Sequence, residues 1–424
     1  MIIHTVQPGE CLQEIANRYR IPLNRLIEDN GIRSLNHLVP GETLVILYPE
    51  TVHTVLPGET VSSIARLYGV SVNQIYRNNP GLLETLFIYP GEQLIITVSR
   101  RYPENIEVGG YAYPYVNKRL LQSTLPYLSF FIPFTYEISE LGELGRLNDT
   151  PAVSMAKQFH VRPVMNLSNL REPYGFNTEL AHIILNNREV QDRVIEETFE
   201  NILIKGYEGL DIDFEYVKEE DSLKLAGFIG RFRERLSPLG YPVFTALAAK
   251  TSSDQRGILF GGHDYNAVGS EADGVLLMTY EWGYCTGPPM PVAPIENVRR
   301  VLEYAVTQMP PEKIFLGIPN YGYDWPLPYK EKMTRAVSIT NEQALELAWK
   351  YGRSIEYDNS AQTPFFQYTD GGVRHEVWFE DARSIQAKLE LVAEYGLKGA
   401  GYWNLMRPFT QNWCLLDSLY KIRQ

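Results

Sequence analysis

Apolar positions along the chain follow two patterns, one over the first hundred residues and another over the remainder. In the first part, short extended runs flank stretches whose apolar residues recur at three-to-four spacing, as at Leu12, Ile15 and Tyr19. A Pro-Gly turn precedes that stretch, and a second helical stretch and a closing extended run at 44–46 follow it. The pattern predicts a β-α-α-β unit in which two helices cover two paired strands.

This unit occurs twice. The heptapeptide HTVQPGE at 4–10 recurs as HTVLPGE at 53–59, and further matches follow, among them Asn30 with Asn79. Such internal repetition predicts two copies of one small domain. The expected boundaries are 2–47 and 52–97 for the two copies, 98–106 for a polar linker, and 107–424 for the remaining domain.

The order of elements and the repeated residues resemble the LysM module, which binds glycans containing N-acetylglucosamine, such as peptidoglycan and chitin. In LysM modules the glycan lies between the first turn and the loop after the second helix. The resemblance implies glycan contacts from Gly9, Glu10, Cys11 and Asn30 in the first copy, and from Gly58, Glu59, Thr60, Asn79 and Pro80 in the second. Cys11 departs from the usual hydroxyl residue, and glycine and asparagine at these positions also suit simple turn geometry.

Past residue 107, short β-rich runs alternate with helical stretches. The predicted strands are 108–116, 127–134, 161–167, 209–214, 243–248, 274–280, 314–318 and 399–403. Intervening segments with apolar residues at helical spacing are 190–205, 222–236, 295–307 and 382–395. This alternation predicts an α/β fold, a (β/α)8 TIM barrel with its chemistry at the carboxyl ends of the strands. The long connection 321–398 is expected to hold helices and a hairpin at 365–379.

One predicted strand has acids at alternate positions: Asp211, Asp213 and Glu215. Alternate side chains of a strand share a face, so the acids should face the barrel axis while Ile212 and Phe214 face the helices. Like charges this close raise the pKa of some members, which can keep Glu215 protonated near neutral pH as a general acid. The same residues also suit a buried acid cluster paired with Arg or Lys, or a divalent cation site.

This strand resembles the Asp-x-x-Asp-x-Asp-x-Glu signature of glycoside hydrolase family 18, with Glu208 in place of the family's first Asp. Later segments match other strand ends of the family: MTYE at 278–281, GIPNYG at 317–322 and GYW at 401–403. The resemblance implies a retaining mechanism in which the substrate's own 2-acetamido group is the nucleophile. It implies Glu215, Asp213, Asp211 and Tyr280 as catalytic residues, and Trp403, Tyr321, Asn320 and Glu281 as substrate-binding residues.

Two departures from the family pattern affect the expected cleft. The family's third-strand Ser-x-Gly-Gly is replaced by VMNLS at 164–168, and the segment after Tyr321 looks too short for the large α+β insertion of processive chitinases. We therefore expect a shallow, open cleft, which favours a cross-linked or branched polymer over crystalline chitin.

Composition narrows the choice of partner. The formal net charge is −12, with 39 Lys+Arg against 51 Asp+Glu, which argues against nucleic acid or anionic lipid. No stretch approaches the roughly 18 apolar residues of a membrane span, and the first residues lack the pattern of a secretory signal. Three cysteines and seven histidines show no metal-ligand spacing, so neither a metal nor another cofactor is expected.

Two LysM-like modules before such a barrel resemble the spore cortex-lytic N-acetylglucosaminidases of spore-forming bacilli. The resemblance implies hydrolysis of cortex peptidoglycan after N-acetylglucosamine during germination, by a monomer stored in the spore cortex or coat layers. A chitinase and a lectin without turnover are the alternatives. A lectin would normally have lost the acid, whereas Glu215 is present.

Overall fold

The two N-terminal repeats fold as antiparallel strand pairs covered by helices, as predicted. The computed structural model describes residues 1–35, 37–85 and 87–424. The elements of the first repeat are β1 Ile2–Thr5, α1 Leu12–Tyr19, α2 Leu23–Asn30 and β2 Thr43–Ile46; those of the second are β3 Pro49–Thr54, α3 Val61–Tyr68, α4 Val72–Asn78, α5 Leu82–Thr85 and β4 Gln93–Val98. Within the described ranges, no helix is both long and apolar enough to cross a membrane.

The repeated heptapeptide has a structural reason. In the first repeat the His4 ring lies 3.1 Å from the Tyr19 hydroxyl and 2.9 Å from the Glu10 carboxylate. That carboxylate also accepts a hydrogen bond from the backbone N–H of Gln7, which closes the Pro-Gly turn. The second repeat has the same network, formed by His53, Tyr68, Glu59 and Leu56.

The remainder of the chain forms the barrel. Its elements up to 319 are the strands β5 Asn105–Ala112, β6 Phe130–Pro133, β7 Tyr136–Glu137, β8 Arg162–Pro163, β9 Met165–Ser168, β10 Leu170–Arg171, β11 Gly175–Phe176, β12 Leu210–Asp213, β13 Val243–Ala248, β14 Gly274–Met278 and β15 Ile314–Pro319, and the helices α6 Lys118–Thr124, α7 Thr150–Gln158, α8 Thr178–Asn186, α9 Arg188–Lys205, α10 Ser222–Leu236, α11 Tyr265–Glu271 and α12 Ile295–Gln308. Single 3₁₀ turns lie at Leu125–Tyr127, Glu219–Asp221, Ser237–Leu239 and Pro311–Lys313.

After β15 the chain leaves the barrel and then returns to it. These elements are β16 Gly322–Leu327, β17 Val337–Ile339, α13 Asn341–Lys350, β18 Glu356–Asp358, β19 Thr363–Asp370, β20 Val373–Trp378, α14 Ala382–Tyr395, β21 Gly399–Trp403, α15 Thr410–Leu419 and β22 Lys421–Ile422. The parallel strands pair in the order β9-β12-β13-β14-β15-β21-β5-β6-β8. Since β8 and β9 are two parts of one strand interrupted at Val164, this pairing closes the sheet and confirms the predicted barrel.

The barrel interior is filled at its lower end by aromatic rings. Phe130 and Phe315 both meet Phe244 edge to face, with ring centroids 4.9 Å and 5.5 Å away. Ile212 and Phe214 point outward into the core shared with the helices. The alternate positions of β12 therefore face inward, above the aromatic layer.

The connection after Tyr321 corrects one prediction. Strands β16 to β20 form an antiparallel sheet in the order β17-β16-β20-β19-β18. Helix α13 lies between β17 and β18 along the chain. The expectation that this segment lacks an α+β insertion is therefore wrong, although the predicted hairpin is present as β19 and β20. The strands β17 and β18 have three residues each, too few for alternation to be recognised in a sequence.

The repeats pack against the barrel. The Arg77 guanidinium donates to the Asp417 carboxylate at 2.8 Å, and both side chains are almost fully buried. The segment 98–106, expected to be a linker, is also held, because the Tyr102 ring stacks on Tyr420 with centroids 5.2 Å apart. The repeats therefore share an interface with the barrel.

The first repeat docks by its β2 side. Every residue of β2 is buried, whereas β4 alternates between buried and accessible positions. Glu42, directly before β2, accepts a hydrogen bond from the backbone N–H of Val39 at 3.0 Å, and burial raises the pKa of its carboxyl to about 7. Its counterpart Glu92 accepts the same bond from the N–H of Tyr89 but is only half-buried.

We expect Glu42→Gln to stabilise the fold at alkaline pH. Between the ordinary pKa of 4.5 and about 7 the native state binds a proton that the unfolded chain has lost, so the free energy of unfolding falls as pH rises. Glutamine keeps an acceptor for Val39 and carries no charge. Urea denaturation should show a gain of about 2 kcal/mol at pH 8 and none at pH 4.5. Glu92→Gln is the matched control, and an equal gain there would contradict burial as the cause.

Candidate functional site

A cleft of about 740 Å³ opens at the carboxyl ends of the barrel strands. The predicted residues that line it are Asp213, Glu215, Tyr280, Glu281 and Trp403. Asp211 lies below them, in a small space bounded by the aromatic layer. Glu208 precedes β12 at its amino end and is not part of the cleft lining.

The backbone around Glu215 is fixed by two side chains. Asn169 donates to the carbonyl of Glu215 at 2.8 Å and accepts from its N–H at 2.9 Å. Burial lowers the pKa of His263 to about 4, and its neutral ring donates from Nε2 to the carbonyl of Phe214 at 2.8 Å, because Nδ1 accepts from a backbone N–H of β13. Sequence reasoning assigned neither residue to the site, and together they hold the backbone of Glu215 at the cleft.

The lowest acid, Asp211, is held by two donors. The Tyr111 hydroxyl and the Asn166 amide lie 3.0 Å and 2.7 Å from its Oδ2. Burial nevertheless raises the pKa of Asp211 to about 6, against the lowering effect of these hydrogen bonds. Asn166 stands in the segment that replaces the family's Ser-x-Gly-Gly, so this departure supplies a partner for the acid.

The two upper acids favour their protonated forms. Burial, followed by the charges of Glu215 and Asp211, raises the pKa of Asp213 well above its usual range. Burial and then the Glu281 carboxylate raise the pKa of Glu215 to about 7. Among the described residues, Oδ1 of Asp213 has no hydrogen-bond partner. The site thus offers a carboxylic acid proton and a free acceptor near neutral pH.

Aromatic side chains form the opposite wall. Trp403, at the end of β21, meets the Phe134 ring edge to face at 4.9 Å. Tyr280 follows β14, and a Cβ on Gly317 would lie 2.9 Å from its ring, so only glycine leaves room for this tyrosine. Amphipathic rings beside a few polar groups suit the binding of a sugar face.

Two predicted sugar contacts lie behind the cleft wall. Asn320 is buried and donates to the carbonyls of Asn404 and Arg407, at 3.3 Å and 2.8 Å. The Tyr321 hydroxyl donates to the Glu281 carboxylate, which itself lines the cleft. Both residues therefore support the site without forming its surface.

Residues from the loops complete the cleft. Glu172, Gln255 and Trp282 lie in loops, whereas Phe176 ends β11 and Arg300 lies on α12. Sequence reasoning did not find the loop residues, because irregular loops have no periodicity that assigns a side chain to a surface. The structure describes the whole α+β insertion, 322–378, and none of its residues lines the cleft.

Among the described residues, one cluster has the geometry for a metal ion, at His182, Glu220 and Asp221. It lies outside the cleft lining. The Asp221 carboxylate already pairs with the Lys224 ammonium, at 2.8 Å.

In the repeats, the two predicted asparagines hold the second helix to the closing strand. Asn30 donates to the Leu26 carbonyl at 2.9 Å and accepts from the Val45 N–H at 2.6 Å. Asn79 makes equivalent bonds to Ile75 and Ile95. Their side chains are thus committed to internal bonds.

The first turns differ between the repeats. Gly9 and Gly58 are exposed and both have φ of +85°, which favours glycine, and Pro80 is half-buried. Thr60 caps α3 in a reciprocal arrangement with Ser63, whereas Cys11 makes no side-chain cap for α1. Glu10 and Glu59 stabilise the turns, as described above.

Comparisons with known proteins agree with this geometry. The model of the family described as glycosyl hydrolases family 18 matches residues 174–407, and that of the LysM domain matches 4–47 and 53–97. The chain is similar to the cortical fragment-lytic enzyme of Bacillus subtilis (strain 168), with 41% identity over 100% of this chain and 99% of that protein.

Solved structures give the same result. The spore cortex-lytic enzyme SleL of Bacillus megaterium QM B1551 has a TM-score of 0.84 and 37% identity, over 99% of this chain and 98% of that one. A chitinase from Chromobacterium violaceum ATCC 12472 has a TM-score of 0.69 and 26% identity, over 74% of this chain and 98% of that one. The chain therefore belongs to glycosyl hydrolases family 18, and is a glycoside hydrolase with two LysM domains ahead of its catalytic barrel.

Proposed function

We propose that this enzyme hydrolyses peptidoglycan after N-acetylglucosamine, with glycan fragments of the spore cortex as its substrate. The observation that carries the proposal is the convergence of Asp213, Glu215 and Tyr280 with the Trp403 ring in one cleft. The proposed setting is spore germination, with the enzyme held in the cortex or coat layers.

Glu215 is the proposed general acid. Its pKa of about 7 leaves about half of the carboxyl protonated at pH 7, and its backbone is fixed by Asn169. It would protonate the departing glycosidic oxygen and, once ionised, activate the water that completes hydrolysis. The anomeric configuration would be retained.

The proposed nucleophile is the 2-acetamido oxygen of the sugar above Trp403. Its attack on the anomeric carbon gives a cyclic oxazolinium ion, in which positive charge develops at the acetamido nitrogen. The unpartnered Oδ1 of Asp213 is available to accept the acetamido N–H and to stabilise that charge. Tyr280 would hold the acetamido oxygen, and Asp211 would act through Asp213.

The names of the relatives support the substrate. The cortical fragment-lytic enzyme and the spore cortex-lytic enzyme described above match nearly the full chain, whereas the chitinase match covers 74% of this chain. The two LysM domains support a polymer containing N-acetylglucosamine. Chitin contains the same sugar, so a chitinase is the second candidate.

We also propose that the second LysM domain contributes to retention on insoluble glycan. Gly81 follows Pro80 in the loop after the second helix, where the glycan lies in LysM modules; it is exposed, and a Cβ there would meet no atom within 4 Å. Gly81→Tyr is expected to reduce the fraction of enzyme that sediments with cortex about fivefold, because the ring would compete with the glycan at this loop. Activity on soluble fragments should be unchanged.

Gly227→Tyr is the matched control, since Gly227 is exposed on α10 and equally unobstructed. Both variants should unfold at the same temperature as the wild type. Equal sedimentation of the Gly81 and Gly227 variants would contradict a role for the loop after the second helix in glycan binding. Point variants are preferable to deletion of the repeats, because deletion would expose the buried Asp417 carboxylate.

Product analysis tests the substrate. Purified spore cortex, intact or predigested with a muramidase, is incubated with the enzyme, and mass spectrometry follows new reducing ends. We expect reducing N-acetylglucosamine ends, with more from predigested cortex. Cleavage of chitin oligomers without cleavage of either cortex preparation would favour the chitinase, and binding without any products would leave a lectin.

A further inference from the structure

An arginine without an ionic partner stands at the rim of the catalytic cleft. Arg300 lies on α12, is exposed, and lines the cleft. Its guanidinium donates to the side-chain oxygen of Asn297, one turn earlier on the same helix and also part of the lining. The preceding Arg299 pairs with a carboxylate of α14, whereas within the described part of the chain Arg300 pairs with none.

The other charged groups of the cleft are acids. Asp213, Glu215 and Glu281 lie at its centre, and Glu172 is exposed on the β9 side. Arg300 is thus the single cation among the described lining residues. An exposed arginine without a partner adds little to stability, but its planar group suits bidentate binding of a carboxylate.

Arg300 lies on the side of the cleft where a sugar next to the reacting one would be bound. Its helix follows β14, whose end holds Tyr280, and the Trp282 ring lines the same side of the cleft. In peptidoglycan, N-acetylglucosamine alternates with a sugar that has a lactyl ether, whose carboxyl group is free or amide-linked to a peptide. When N-acetylglucosamine occupies the central position, a lactyl sugar lies on each side, whichever way the strand runs.

We propose that Arg300, steadied by Asn297, binds a carboxylate on the lactyl sugar next to the cleaved N-acetylglucosamine. This inference rests on the proposed function and adds a residue that distinguishes peptidoglycan from chitin, which has no such carboxylate. The exposed Glu172 repels anions on its own side of the cleft, so the carboxylate of the lactyl sugar binds on the Arg300 side.

Kinetics of Arg300→Gln on four soluble substrates test the proposal. Three of them are peptidoglycan tetrasaccharides, whose lactyl groups are free carboxylates in the first, methylamides in the second and linked to a single L-alanine in the third. The fourth is the tetramer of N-acetylglucosamine. We expect kcat/KM to fall about tenfold on a carboxylate substrate and less than twofold on the amidated and chitin tetramers. If kcat/KM falls only on the substrate with free lactyl groups, Arg300 binds the lactyl carboxylate. If it falls only on the alanyl substrate, Arg300 binds the peptide carboxylate.

Arg256→Gln is the control, because it removes an exposed cation from the loop after β13 that is not part of the cleft lining. Arg300→Gln activity equal to wild type on every substrate, or an equal loss on all four, would overturn the inference while the proposed function stands. A wild-type enzyme that cleaves only the chitin tetramer would instead overturn the proposed function, and this inference with it.

Discussion

Glu215→Gln is expected to lower kcat on soluble cortex fragments about 10³-fold. Glutamine keeps the shape and the backbone contacts with Asn169, but its amide cannot donate a proton to the leaving oxygen. General acid catalysis accounts for about 10²–10⁴-fold in rate, and here the same group also activates water in the second step. Initial rates from released reducing ends, measured between pH 5 and 8, give the comparison.

A control at the other end of the same strand separates loss of the acid from loss of charge. Glu208→Gln removes a carboxylate from the amino end of β12, outside the cleft, and should leave kcat within about twofold of the wild type. Binding of a fragment to Glu215→Gln should persist in calorimetry. If Glu215→Gln retained more than a tenth of the wild-type kcat, another group would have to supply the proton.

The barrel could be predicted because its strands and helices are long and regular. The predicted 243–248 and 399–403 coincide with β13 and β21, and 222–236 and 382–395 with α10 and α14. The α+β insertion was missed because two of its strands are three residues long. Docking of the repeats could not be predicted, since the Arg77–Asp417 pair joins positions far apart in the chain.

Part of the candidate site could likewise be predicted from the sequence, and part could not. Alternation on one strand placed Asp211 and Asp213 inward with Glu215 at the cleft, and the strand-end motifs placed Tyr280 and Trp403 beside it. Contacts across the barrel were not visible in the sequence, because they depend on which loops meet in space. The clamp from Asn169 is of this kind, and the place of Arg300 at the rim depends on how α12 packs against the barrel.

Asp213→Asn is expected to lower kcat about 10²-fold. Asparagine keeps an acceptor for the acetamido N–H but cannot carry the negative charge that the ionised form of Asp213 places beside the acetamido nitrogen, a loss comparable to removing one preorganised electrostatic contact. The alkaline limb of kcat/KM reports ionisation of the general acid in the free enzyme. Since Glu215 must be protonated to act, activity should fall tenfold per pH unit above about 7.

The raised pKa of Glu215 comes from burial and then from the Glu281 carboxylate. The limb should therefore move to lower pH in Glu281→Gln, which removes the repelling charge. Initial rates of fragment cleavage between pH 5 and 9 give all three profiles. A shift of the limb in Asp213→Asn, with none in Glu281→Gln, would show instead that Asp213 sets the proton affinity of the acid. Glu281 would then serve only to position the Tyr321 and Tyr323 hydroxyls that donate to it.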